Sequence, residues 1–272
     1  MSTAQAPTAT IELQAGQARA VIDPAAGGRL TSLVVAGNEL LTGVTDSIVP
    51  PSMRHGSFPM APWAGRLRNG EFHLDERSFS FPANAGPHAI HGLAHDLTWS
   101  TTGTNRIGVD LAGVWDLGGQ LTQAFELTDS ELAITLTAMA ISDRLPVTLG
   151  FHPWFRRRLG VGGDASLSFD ASWQYQRDGD GLPDGTLIGP LASPWDDCFI
   201  VPAKQVAIAW PGALVLRVKS DHDHFVVFNE RDDSIGVEPQ TGPPNAFNLP
   251  GAQILEPGEE TSITMRLQWA TL

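Results

Sequence analysis

This 272-residue chain holds a single cysteine, Cys198. No intrachain disulfide and no cysteine-based metal cluster can therefore form, a usage compatible with a reducing compartment. Basic residues are also scarce: 17 Lys and Arg stand against 30 Asp and Glu, a formal net charge of -13. That balance repels polyanions at long range, which argues against nucleic acid or an anionic membrane as partner and leaves a small, neutral or cationic one. No apolar run approaches the ~18 residues a spanning helix requires. The opening MSTAQAPTAT lacks a basic segment followed by an apolar one, so no secretory signal is expected and the chain reads as soluble and cytoplasmic, with a frayed start over 1–8. Amphipathic helices are missing too, since 28 glycines and 20 prolines punctuate every candidate. There is no fixed-period repeat and no Pro- or Ser-rich linker, which excludes a propeller or solenoid and predicts one domain over 9–272.

What is present is period-two alternation from end to end. TIEL, ARAVI, RLTSLVV, QAFELT, LAITLTAMAI, QVAIAW, LVLRV, FVVFN and TSITMRLQW each alternate apolar and polar residues between turn signals. Those signals include Ala15-Gly16, Ala36 to Asn38, Asn69-Gly70 and Thr128 to Ser130. Such runs are antiparallel strands with one buried face, and about twenty of them predict an all-β fold of two large sheets packed face to face. The long loops 43–63 and 82–97 are where a site would be built.

Several segments carry groups with chemistry. In TLGFHPWFRR, His152 precedes Pro153 inside an apolar run; a core histidine bonded to a backbone carbonyl explains it as well as a catalytic one does. Loop 82–97 contains His88, His91 and His95, whose spacing invites a metal, but Pro87 and Gly92 weaken the helix that would make them converge and no acidic partner is evident. No metal is expected. His222 and His224 alternate along a strand and are expected at its exposed, charged end. Arg68 reads as a solvated strand-edge charge, whereas Arg66, behind Pro62 and Trp63, is placed to hold hydroxyls at a pocket wall. Glu238 ends an apolar strand, where partial desolvation would raise its pKa and make it a better base. Asp196 and Asp197 stand beside Trp195 and Phe199, an aromatic-plus-acid composition suited to sugars.

Taken in order, FPMAPWAGRLRNGEF, HAIHGLAHDLTW, LGFHPWFR, DDCF, and VEPQTGPPNAFN followed by ILEPGEE resemble the signature segments of the aldose 1-epimerase (galactose mutarotase) family, from about residue 18 to the end. The resemblance implies a β-supersandwich of two large, mostly antiparallel sheets and a cofactor-independent interconversion of α and β anomers of an aldose. It implies His152 as general acid and Glu238 as general base, with Arg66, His91 and Asp196 binding substrate. A carboxylate near His152 would favour its protonated form, and Trp63 or Trp154 would offer a sugar-facing wall.

One departure concerns Gly65, which stands where the family often has asparagine beside the arginine. Arg156, Arg157 and Arg158 form another feature: if they faced the site they would suit an anionic sugar, which makes a hexose-6-phosphate 1-epimerase the alternative enzyme. A non-catalytic sugar-binding protein would need no acid and base, and a metal-dependent lyase or hydrolase would need the three histidines of loop 82–97 to converge.

Overall fold

The computed structural model describes residues 9–45, 52–160 and 162–271. The expected frayed start at 1–8 and part of loop 43–63 lie outside the described residues. Alternation becomes two large sheets, one of 11 strands and one of 8, with three two-stranded ribbons beside them. All their strand pairings are antiparallel among the described residues, as the sequence pattern implies. Helix is limited there to four three-residue 3-10 turns, and no helix is long and apolar enough to cross a membrane.

Six strands of the larger sheet carry the polar groups of its outer face: β1 (Ser57–Met60), β2 (Gly150–Arg156), β3 (Trp173–Arg177), β4 (Asp196–Ile200), β5 (His224–Phe228) and β6 (Ser234–Gln240). Across the sheet they run β1-β2-β6-β5-β4-β3. The smaller sheet is centred on Glu131–Met139 and Glu260–Thr271.

Period two decides which side chain goes where, because successive residues of a strand point to opposite faces. In Gln205–Trp210 of the smaller sheet, Val206, Ile208 and Trp210 are buried while Gln205, Ala207 and Ala209 are partly open, the pattern of a sheet with one solvated face. Strand β2 differs, since every residue from Gly150 to Phe155 is buried. Phe151 and Phe155 enter the main core between the sheets, where Phe155 meets the Trp210 ring of the opposite sheet. Trp154 instead joins Phe58, Met60 and Ala64 in a second cluster. That face of the sheet is covered by chain arriving from elsewhere: the Trp154 indole donates to the Met53 carbonyl, and the His91 and His95 rings pack on Phe58. The larger sheet therefore has a greasy inner face and a covered outer face with polar groups on it.

Phe155 tests this division of faces. Phe155→Ala should cost about 3–5 kcal/mol of stability, the usual range for a fully buried phenylalanine truncated in a packed core. Urea unfolding followed by fluorescence measures it; a loss below about 1 kcal/mol, within the range of ordinary substitutions, would mean the two sheets are not joined through this ring.

Candidate active site

The outer face of β2 and β6 brings the two candidate catalytic residues together. Gly150 pairs with Gln240 and Trp154 with Gly236, and that same register sets His152 level with Glu238. Their side chains meet, with His152 Nε2 3.2 Å from Glu238 Oε1. Both residues are buried, at 5% and 3% exposure. Gly236 keeps the space open: a Cβ there would lie 3.3 Å from Glu238 Oε1 and 3.7 Å from His152 Cε1.

Aromatic rings fix the imidazole. Phe58, paired with His152 across β1 and β2, stacks on it at 4.9 Å and 29°, and Trp154 stacks at 4.6 Å and 30°. The His91 ring meets it edge-on at 4.9 Å and 86°. His91 reaches that place from a left-handed backbone, φ 65°, with its N–H donating to the Gly65 carbonyl. Non-glycine residues adopt such a φ sparingly, and they do so where a site demands it. Glu238 Oε2 accepts from Gln240 Nε2 at 3.3 Å.

A cavity of about 220 Å³ opens over this pair. On its far wall Asp196 Oδ2 stands 3.6 Å from Arg66 Nη1 and 3.7 Å from Arg177 Nη1, ion contacts too long to be hydrogen bonds. Arg177 Nε is 3.0 Å from Asp197 Oδ1. Of the two aspartates, Asp196 is the more open, with its side chain 24% exposed against 7% for Asp197. His91 Nδ1, His152 Nδ1 and Gln240 Oε1 are buried with no hydrogen-bond partner among the described residues.

The electrostatics overturn one expectation. Burial pushes the His152 imidazole down to about 3, helped by the positive charge of Arg29; it is not held protonated by its carboxylate neighbour. The same burial, with the charge of Asp196 added, raises Glu238 well above the ordinary carboxylate range, against the pull of Arg66 and of the Gln240 bond. His91 is pushed far down, again by burial first and then by His152, His95 and Arg66. Burial thus pushes both members of the pair toward their neutral forms, imidazole and carboxylic acid.

All five residues singled out as catalytic or substrate-binding, His152, Glu238, Arg66, His91 and Asp196, line this one cavity. Other expectations need correction. Trp63 does not face the cavity: it packs in the core against Phe81 and Trp115, and Trp154 is the indole at the site. The arginines after His152 turn elsewhere. Arg156 donates to the Leu41 carbonyl, Arg157 to the carbonyls of Arg231 and Asn229, and Arg158 pairs with Asp164, so the basis for an anionic-sugar reading from that run is removed. Arg68 is not merely solvated but bridges Asp178 and Asp180. His224 is not at an exposed end; it is partly buried and shares a 3.1 Å hydrogen bond with the Tyr175 hydroxyl. The histidines of loop 82–97 diverge, with His88 Nδ1 accepting from the Asn69 amide, His91 at the cavity and His95 paired with Asp96.

Reading the residues missed Phe58, Arg177 and Gln240. Gln240 had a signal, since it lies two residues after Glu238 and so on the same face. Arg177 and Phe58 had none of that kind, because their strands meet the site only through the sheet order.

Comparison with known proteins agrees with this fold. The family model for aldose 1-epimerase matches residues 9–268. No curated protein matches. Among solved structures, a galactose mutarotase-like protein from Clostridium acetobutylicum superposes with a TM-score of 0.83 at 19% identity, covering 97% of this chain and 95% of that one. The Slr1438 protein from Synechocystis sp. PCC 6803 gives 0.79 at 24% identity over 100% and 99% of the two chains. A galactose 1-epimerase from Lactobacillus acidophilus NCFM gives 0.77 at 16% identity over 99% and 97%. At these identities the likeness is one of fold.

The raised Glu238 has a stability consequence. Above about pH 4.3 the unfolded chain releases this proton while the folded chain keeps it, so the unfolded state binds fewer protons and stability falls as pH rises. Glu238→Gln escapes that loss. Its melting temperature relative to the parent should climb from pH 5 to pH 8, by up to about 1.4 kcal/mol of stability per pH unit until Glu238 ionises in the fold. A difference that stays flat across that range would show Glu238 to be ionised in the free protein.

Proposed function

We propose that this chain, which belongs to the aldose 1-epimerase family, interconverts the α and β anomers of an aldose by acid-base ring opening and reclosure, with His152 as general acid and Glu238 as general base. What supports this most directly is the 3.2 Å contact between the two side chains inside one cavity. The proton to be removed sits on the C1 hydroxyl and the proton to be delivered goes to the ring oxygen. Those two oxygens are bonded to the same carbon, so an acid and a base must stand side by side to serve them, each within about 2.6–3.2 Å in the bound state.

The single proton of the pair gives a balanced cycle. In the form that starts ring opening, His152 is an imidazolium and Glu238 a carboxylate. Glu238 takes the proton from O1, the electron pair left there forms the C1=O1 double bond, the C1 to ring-oxygen bond breaks, and His152 protonates the departing oxygen. The pair is then neutral imidazole and carboxylic acid, the distribution that burial favours in the free protein. After rotation about C1–C2 the same transfers run backwards on the other face of the aldehyde, and the starting form returns. No cofactor is required by this proton balance.

Arg66, His91 and Asp196 hold hydroxyls in this reading, and Trp154 supplies a flat apolar wall. The presence of both an acid and a base, mutually in contact, favours catalysis over binding alone. The substrate we propose is a neutral aldose.

Polarimetry of freshly dissolved α-D-glucose and α-D-galactose, with 6-phosphorylated aldoses alongside, tests the proposal. Rotation should reach equilibrium faster with the protein, and no acceleration with any sugar would overturn the assignment. His152→Asn and Glu238→Gln should each lower kcat by about 10²–10⁴, the usual weight of one general acid or base, while the circular dichroism of the fold is retained. Full activity in either variant would show that the roles are misassigned.

A further inference from the structure

Arg29 lies behind the site and takes no part in the proton transfers. It follows two glycines with left-handed backbone, Gly27 at φ 79° and Gly28 at φ 66°. A Cβ on Gly27 would fall 1.9 Å from the His95 carbonyl oxygen, so this turn is wedged against the chain that carries His91 and His95. The wedge carries the guanidinium into the interior, where the residue is 4% exposed. Its Nη1 donates to the His55 carbonyl at 2.6 Å. No carboxylate among the described residues pairs with it directly; Asp96 and Asp23 act on it from farther off, and burial draws it down to about 10. Holding a cation there without a contact ion costs stability, so its placement calls for a use.

Its contact with the site runs through one ring. The Arg29 guanidinium carbon lies 4.8 Å from the centroid of Phe58, and Phe58 stacks on His152. We propose that Arg29 is a positioning residue of the reaction: through the Phe58 ring it opposes positive charge on His152, so that the imidazolium formed during turnover is a strong acid. This rests on the mutarotase reading of the pair.

Two effects act together on the imidazole. A phenyl face already occupied by a guanidinium is a poor partner for a second cation, so His152 gains little cation–π stabilisation from Phe58 on protonation. In addition burial disfavours the charged ring, more than the backbone hydrogen bond at His152 favours it. The groups that face His152 are Glu238 from β6, His91 and His95 from the covering loop, and Arg29 behind Phe58; Trp154 and Phe58 themselves are uncharged. Glu238 can take the proton back, while the charge of Arg29 opposes its presence. Arg29 keeps its charge throughout the acid and neutral range.

The experiment compares Arg29→Gln, which keeps a donor for the His55 carbonyl but loses the charge, with Arg29→Lys, which keeps the charge. Titration of the His152 ring by ¹⁵N NMR in the free protein is read beside the acid limb of the kcat/KM profile. Arg29→Gln should move both upward by about one pH unit or more, with Arg29→Lys staying within about 0.3 unit of the parent. Ala26→Asp leaves Arg29 in place and puts a carboxylate at the residue whose carbonyl lies 3.4 Å from Arg29 Nε, so it should move both in the same direction by a smaller amount should the glutamine variant not fold. An unmoved His152 titration in Arg29→Gln or Ala26→Asp, or an equal shift in the lysine variant, would overturn the proposal. Because the NMR titration needs no turnover, it stays decisive even if no sugar is found to react.

Discussion

The register between β2 and β6 is the constraint on which this molecule depends. Side chains alternate along a strand, so the pairing of Trp154 with Gly236 simultaneously sends Phe155 and Ile235 into the core and sets His152 beside Glu238. A slip of one residue would expel two apolar side chains and bury polar ones between the sheets. The hydrophobic core therefore fixes the geometry of the His152–Glu238 pair, which inherits the rigidity of a packed interface without a loop to position it. Loops contribute what varies in angle and reach, such as His91 and the Met53 carbonyl against the Trp154 indole.

Burial then sets the proton chemistry. Both members of the pair are in a place that disfavours charge, and each is pushed toward its neutral form. The ion-pair form is thus the higher in energy, and Arg66, Asp196 and Arg177 line the same cavity as a polar wall. A carboxyl that holds its proton more tightly in the fold than in the unfolded chain costs stability as pH rises, so the burial of Glu238 works against the fold.

The sequence made the architecture legible because alternation is a local signal: each run of five to twelve residues reports its own buried face without knowledge of its neighbours. It also made His152, Glu238, Arg66, His91 and Asp196 legible, because they sit in short segments whose order resembles one family, and the cavity gathers all five. What was hidden is long-range. Arg177 meets Asp196 and Asp197 only because β3 and β4 are neighbours, and Arg29 reaches His152 only through a third residue's ring. Local pattern misled at Trp63, whose sequence neighbours include Arg66 but whose spatial neighbours are Phe81 and Trp115. It was silent at Arg156 to Arg158, where the direction of each side chain depends on which carbonyl or carboxylate lies across the strand.

Gly65 and Pro244 carry a consequence for how such a site changes over generations. Gly65 has φ 67°, and a Cβ placed on it would stand 2.6 Å from two ring carbons of Pro244. The proline ring fills the volume that a side chain at 65 would take. A single replacement at 65 would drive its side chain into that ring, and shortening position 244 first would widen the cavity wall there. The two positions are thus coupled by volume: a side chain at 65 needs a smaller residue at 244, so this stretch of wall changes by paired rather than single replacement.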